Sequence, residues 1–164
     1  MTQSLVRDQR IGQFPSLAPP RLARIVSSAV QHPDQWLRLV RYDPVSRWYT
    51  RLDQTDEYEI WLLSWLPGQQ TGFHDHGSSA GAFAVTLGSL SERGVRAGRP
   101  QASARSIAPG VVRAFGPSYL HDVRNDGPDP AVSIHAYSPP LSSMRRFEVS
   151  SDGRLRALTE ERSW

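Results

Sequence analysis

The chain has 164 residues, a formal charge of +3, 13 prolines, 12 glycines and no cysteine. That length suits one domain with a core large enough to need no staples, and the cysteine count rules out disulfides and thiolate metal ligands. Every basic residue is an arginine, which rules out Schiff-base chemistry on a lysine. The arginines are scattered among acids rather than drawn into a stripe, so no nucleic-acid partner is expected.

In chain order, the N-terminus MTQSLVRDQRIGQF lacks the apolar core and cleavage site of a secretory leader. No apolar run reaches the ~20 residues that a membrane-spanning helix needs. A cytoplasmic protein with no membrane partner is the expectation. Pro19-Pro20 opens a stretch, Arg21 to Val30, with apolar Leu22, Ile25, Val26 and Val30 on one helical face. His32-Pro33 interrupts it, and Asp34 reads as the N-cap of a second short helix through Trp36, Leu37 and Val40.

From Tyr58 on, short apolar runs between proline and glycine breakers read as strands: Tyr58–Leu66, Ala82–Leu87, Val111–Phe115, His121–Arg124 and Ala131–Tyr137. Asn125-Asp126-Gly127-Pro128 is a turn signal. The Ala131–Tyr137 run alternates, with Val132, Ile134 and Ala136 on one face and Ser133, His135 and Tyr137 on the other. Two further strands are expected near Arg146–Val149 and Leu155–Leu158. The expectation is a mainly β, jelly-roll barrel forming one domain over residues 1–164, with a helical cap at about 15–42 and the barrel at about 45–158.

His74 and His76 form an H-x-H pair. On a strand, residues two apart face the same way, so two imidazoles can reach one ion. The bland alternative is a polar strand that happens to carry two histidines. The surroundings favour the ion. Gly68, five residues, His74-Asp75-His76, four residues, Gly81, six residues and Gly88 resemble the first cupin motif, G-x5-H-x-H-x3,4-E-x6-G. Gly110, five residues, Gly116, Ser118, two residues, His121, three residues and Asn125 resemble the second, G-x5-P-x-G-x2-H-x3-N. Gly116 and Ser118 depart from it where proline and glycine are usual. The motif's glutamate is Gly81, which leaves His74, His76 and His121 as a neutral three-histidine set. Imidazole suits Fe, Zn, Cu and Ni alike, so ligand type does not choose the metal.

The segment Pro130 to Pro140 is similar to the cysteine dioxygenase family, in which a serine, a histidine and a tyrosine, each two residues apart, follow the third metal histidine. Tyr49-Thr50-Arg51 matches the family's Y-T-R. The resemblance covers about Tyr42 to Pro140. It implies one Fe(II) per chain on His74, His76 and His121, with L-cysteine and O2 as reactants and cysteine sulfinic acid as product. It also implies that Arg51 holds the substrate carboxylate with help from Tyr49, that Tyr137 stands beside the iron, and that His135 and Ser133 form a relay behind it. Trp65 and Leu63 match apolar pocket positions, and Ser138-Pro139 matches a cis peptide. The family's crosslinking cysteine corresponds to Gly81, so that crosslink cannot form here. A monomer is expected. The alternatives are a dioxygenase of 3-mercaptopropionate or another small thiol, in which glutamine is usual at the Arg51 position, and a non-catalytic ligand-binding cupin. A zinc or manganese cupin isomerase or hydrolase ranks last, because such sites commonly keep the glutamate.

Overall fold

A computed structural model of the chain describes residues 16–101 and 104–161. Helix α1 (Pro19–Val30) starts where predicted, with prolines at its first positions and no side-chain cap. Proline suits that start because its missing N–H would have no partner there. Leu22 and Val26 are fully buried. His32 ends the helix by bonding through Nδ1 to the Ser28 carbonyl at 2.7 Å, which accounts for one of the five histidines structurally. Helix α2 (Pro33–Trp36) and a 3-10 turn over Leu37–Leu39 follow. The N-cap of α2 is His32, not Asp34; Pro33 takes the first helical position and shifts Asp34 into the first turn.

Twelve strands follow in chain order: β1 (Trp48–Gln54), β2 (Glu59–Trp65), β3 (Phe73–Asp75), β4 (Ala80–Leu87), β5 (Leu90–Arg96), β6 (Arg99–Pro100), β7 (Arg105–Ile107), β8 (Val112–Phe115), β9 (His121–Arg124), β10 (Ala131–Ser138), β11 (Met144–Val149) and β12 (Leu155–Glu161). They form two antiparallel sheets, ordered β1-β2-β10-β4-β8 and β12-β11-β3-β9-β5-β6, with β7 pairing β5. The result is the nearly closed barrel expected from the breakers. Strands β5 to β7 lie where the sequence offers charged residues, Ser91-Glu92-Arg93 and Arg96, rather than an apolar run; cross-strand pairing forms them.

The first sheet separates two cores. Its outer face, with Leu62, Val132, Ile134 and Ala136, packs against Leu22 and Val26 of α1. Its inner face, with Trp61, Trp65, Phe83 and Tyr137, packs with Phe115 and Val123 inside the barrel. Asn125, the last residue of the second motif, is fully buried and ties the corner between β9 and β10. Its Nδ2 donates to the Trp65 and Asp129 carbonyls at 3.1 and 2.8 Å. Ser118 adopts φ +63°, a left-handed conformation that explains why glycine is usual at that motif position. The Ser138-Pro139 peptide is cis.

Candidate metal centre

Strands β3 and β9 place His74 directly opposite His121, and His76 follows His74 by one pleat, at the end of β3. The three rings come together inside the barrel, all buried, with ligand nitrogens within 4.8 Å of one another. Their centroids lie 4.8 to 5.3 Å apart. His74 Nδ1 bonds to the Gly72 carbonyl at 2.9 Å, and His121 Nδ1 bonds to Glu92 Oε1 at 2.9 Å. Each bond fixes its ring and leaves Nε2 for an ion. His76 differs: both of its ring nitrogens are buried without a hydrogen-bond partner. Orphaned buried polar atoms are rare in folded proteins, and a cation is the partner that three converging imidazoles fit.

Burial, and then the neighbouring imidazoles, hold the His74 and His76 pKa values well below the usual histidine range. The rings are therefore neutral and carry lone pairs at physiological pH. Glu92 is buried; burial alone would raise its pKa, but bonding to His121 and Arg113 outweighs that and brings it to about 2. Its other oxygen receives Arg113 Nε at 2.8 Å. Glu92 stands outside both sequence motifs, and nothing in the local sequence marks it.

The motif's glutamate position is filled from elsewhere. A Cβ at Gly81 would lie 2.5 Å from the Phe115 ring and 3.1 Å from Tyr137 Cδ1. Phe115 and Tyr137 both stack on His76, at 5.2 and 4.8 Å between centroids. Glycine is thus the residue that lets Phe115 close this side of the histidine cluster. The open side is a cavity of about 350 Å³ lined by His74, His121, Tyr137 and His135, among others.

Ser133, His135 and Tyr137 share the inner face of β10 and form a line. Trp65 Nε1 donates to Ser133 Oγ at 2.9 Å, Ser133 Oγ meets His135 Nε2 at 2.8 Å, and His135 Nδ1 meets the Tyr137 hydroxyl at 3.2 Å. Indole can only donate, so Ser133 Oγ accepts from Trp65. His135, held down to about 3 by burial and then by His121 and Arg47, is neutral. Its Nδ1 and the Tyr137 hydroxyl share the last hydrogen bond of the line, and Tyr137 also lines the cavity. Burial pushes the Tyr137 pKa up, so the phenol stays protonated.

Tyr49 and Leu63 line the cavity, and Tyr49 packs edge-on against Trp61 at 5.8 Å. Trp65 lies in the core beneath them. Arg51 shares the face of Tyr49 but is not among the cavity-lining residues. Its side chain is 46% exposed, sits over Trp61 at 5.3 Å, and its Nη1 faces Glu59 Oε2 at 3.6 Å. Two other arginines, Arg47 and Arg146, line the cavity instead. The period-two run Arg47, Tyr49, Arg51 is a usable sequence signal for the first. Arg146 carries no such signal, because only the register of β11 against β3 sets it opposite His74.

The family model described as cysteine dioxygenase type I matches residues 19–150. The chain belongs to the cysteine dioxygenase family. Membership supports an oxidoreductase with thiol dioxygenase activity in general. The chain is 26% identical over 151 residues to the cysteine dioxygenase type 1 of Danio rerio, covering 85% of this chain and 74% of that one. It is 28% identical over 136 residues to the Homo sapiens enzyme of the same name, covering 76% and 66%. Among solved structures it is similar to a Thermus thermophilus protein, with TM-score 0.56, 25% identity and coverage of 63% of this chain and 93% of that one. An RmlC-like cupin from Desulfovibrio desulfuricans shares the fold, with TM-score 0.54, 18% identity and coverage of 62% and 91%. No helix among the described residues is long and apolar enough to cross a membrane.

Proposed function

We propose that the chain, acting as one domain, is an Fe(II)-dependent dioxygenase that converts L-cysteine to cysteine sulfinic acid. The observation that carries this reading is the buried histidine cluster with the unpartnered nitrogens of His76, beside a tyrosine that lines the same cavity. His74, His76 and His121 would hold the iron, which when bound supplies the binding of thiolate and the activation of O2. The overall reaction balances as RS⁻ + O2 → RSO2⁻, with sulfur losing four electrons and dioxygen gaining four.

The protein's own groups orient and screen. Tyr137 donates a hydrogen bond to the reacting oxygen or to the substrate carboxylate, and the relay through His135, Ser133 and Trp65 fixes its direction. Arg51, over the Trp61 ring, would grip the carboxylate, since guanidinium and carboxylate pair in a bidentate way. Trp61, Leu63 and Phe115 keep the site apolar and strengthen these polar contacts.

The test is anaerobic loading with Fe(II), followed by O2 uptake with L-cysteine and other small thiols. Stoichiometric sulfinate is expected, and no uptake with any small thiol would reject the reading. A second reading, 3-mercaptopropionate as substrate, draws on Arg51 lying outside the cavity lining, where it does not select for an amino-acid thiol. Comparing kcat/KM for the two thiols in the wild type and in Arg51→Ala decides between them. Retention of the cysteine preference in Arg51→Ala would remove Arg51 from the binding role.

A further inference from the structure

Gly81 deprives the cluster of the acidic ligand that the first cupin motif usually carries. A carboxylate still reaches the cluster, by way of His121. Among the described residues, Glu92 is the one acid hydrogen-bonded to a cluster histidine, since His74 uses the Gly72 carbonyl and His76 has no partner. The other buried acids are bonded elsewhere: Asp75 to Arg145, Asp122 to Arg124, and Glu59 to the Leu141 N–H. Glu92 comes from β5, opposite Val123 of β9, and Arg113 comes from β8, opposite Phe83 of β4. The two sheets are thus joined by this ion pair. Glu92 Oε1 receives His121 Nδ1 at 2.9 Å, and Oε2 receives Arg113 Nε at 2.8 Å. Glu92 is buried, and Phe115 and Tyr119 each pack on the His121 ring at 5.1 Å. Arg113 therefore acts on one carboxylate oxygen and His121 on the other, with water kept away from the bond between Glu92 and the ring.

A carboxylate that accepts from the far nitrogen of a ligand imidazole makes the near nitrogen a stronger donor to a metal. A cation bonded to the same carboxylate draws charge the other way and weakens that effect. With water excluded, both influences are felt strongly. Stronger donation favours the higher oxidation state of the metal. We infer that Glu92 and Arg113 are a pair of positioning residues that set the reduction potential of an iron held by His74, His76 and His121, with Glu92 lowering it and Arg113 raising it. The chain thereby recovers from β5, through an imidazole, part of the charge that the motif's glutamate would bring directly. This rests on the iron site of the reading above, and not on which thiol is oxidised.

The experiment is a potentiometric titration of the iron-loaded protein without thiol, with the Fe(III) fraction read by electron paramagnetic resonance. Glu92→Gln keeps the shape and removes the charge. At a fixed potential its Fe(III)/Fe(II) ratio is expected to fall about tenfold, a rise of about 59 mV for a one-electron couple. In Arg113→Gln, Glu92 acts on His121 unopposed, and the ratio is expected to rise by roughly threefold or more. Loosened packing would move both variants the same way, whereas a change of charge moves them in opposite directions. Shifts of the same sign, or a shift below about twofold in Glu92→Gln, overturn the inference. Glu92→Gln decides alone if Arg113→Gln does not fold. O2 uptake by the same wild-type sample keeps the two readings apart. Opposed shifts with no uptake from any small thiol uphold the inference and end the dioxygenase reading. A wild-type protein that binds no iron overturns both.

Discussion

Strand β10 has two faces that do different work. Val132, Ile134 and Ala136 look outward into an aliphatic core under α1, where the packing is apolar and nothing is left to react. Ser133, His135 and Tyr137 look inward, each hydrogen-bonded to the next and ending at the histidine cluster. Both faces are buried, so burial alone does not tell them apart. The outer face stabilises by area removed from water; the inner face holds polar groups whose cost is offset only by their mutual bonds.

If this division is right, substitutions should separate stability from chemistry. The largest effect belongs to His76→Ala, which should drop metal content and O2 uptake to background. The melting temperature of the metal-free protein should change little, because the lost packing is offset by removing two orphaned nitrogens. Metal analysis with calorimetric melting checks this. On the outer face, Ile134→Ala should cost about 2–5 kcal/mol in chemical denaturation while turnover per folded molecule stays at wild type. Tyr137→Phe should do the reverse: stability close to wild type, with kcat/KM lower by roughly ten- to hundredfold through loss of one hydrogen bond to a charged group.

Glu92→Gln tests whether the carboxylate behind His121 belongs to the chemistry or to the scaffold. Metal affinity should fall by about 10- to 100-fold in a chelator competition, with the apolar core unaffected. Acid should give the smallest and most graded effect. The His135 pKa falls from 6.5 in the unfolded chain to about 3 in the fold. The unfolded chain thus takes up a proton that the fold refuses, and stability present above pH 6.5 is lost as pH falls toward 3. Glu92, lowered from 4.5 to about 2, adds a loss that begins below pH 4.5. The melting temperature of the metal-free protein should decline from pH 6.5 downward. A flat profile for the metal-free protein would contradict the neutral inner face.

Spacing makes much of this visible before any coordinates. Two residues between like-facing positions on a strand is a geometric constant, so His74 groups with His76, and Ser133 with His135 and Tyr137. The glycine and proline breakers place β2, β4 and β8 to β11 to within two residues, because turns demand those residues locally. Strands β5 to β7 are not legible, since their charged sequences pair only because neighbours present open edges. In the sequence Gly81 reads as a missing ligand; in the fold it is the space that the Phe115 ring occupies.

Local periodicity and fixed spacing are enough for the fold class, the two motifs and the His74–His76 pair, because each of these is written in residues close together along the chain; that His121 joins the pair is what the family resemblance implies. The closed barrel alone brings Glu92 behind His121, sets Glu59 against Arg51, and turns Arg47 and Arg146 toward the open side of the cluster. Those pairings join residues from different strands, and strand register, which depends on the whole barrel closing, sets which side chains meet.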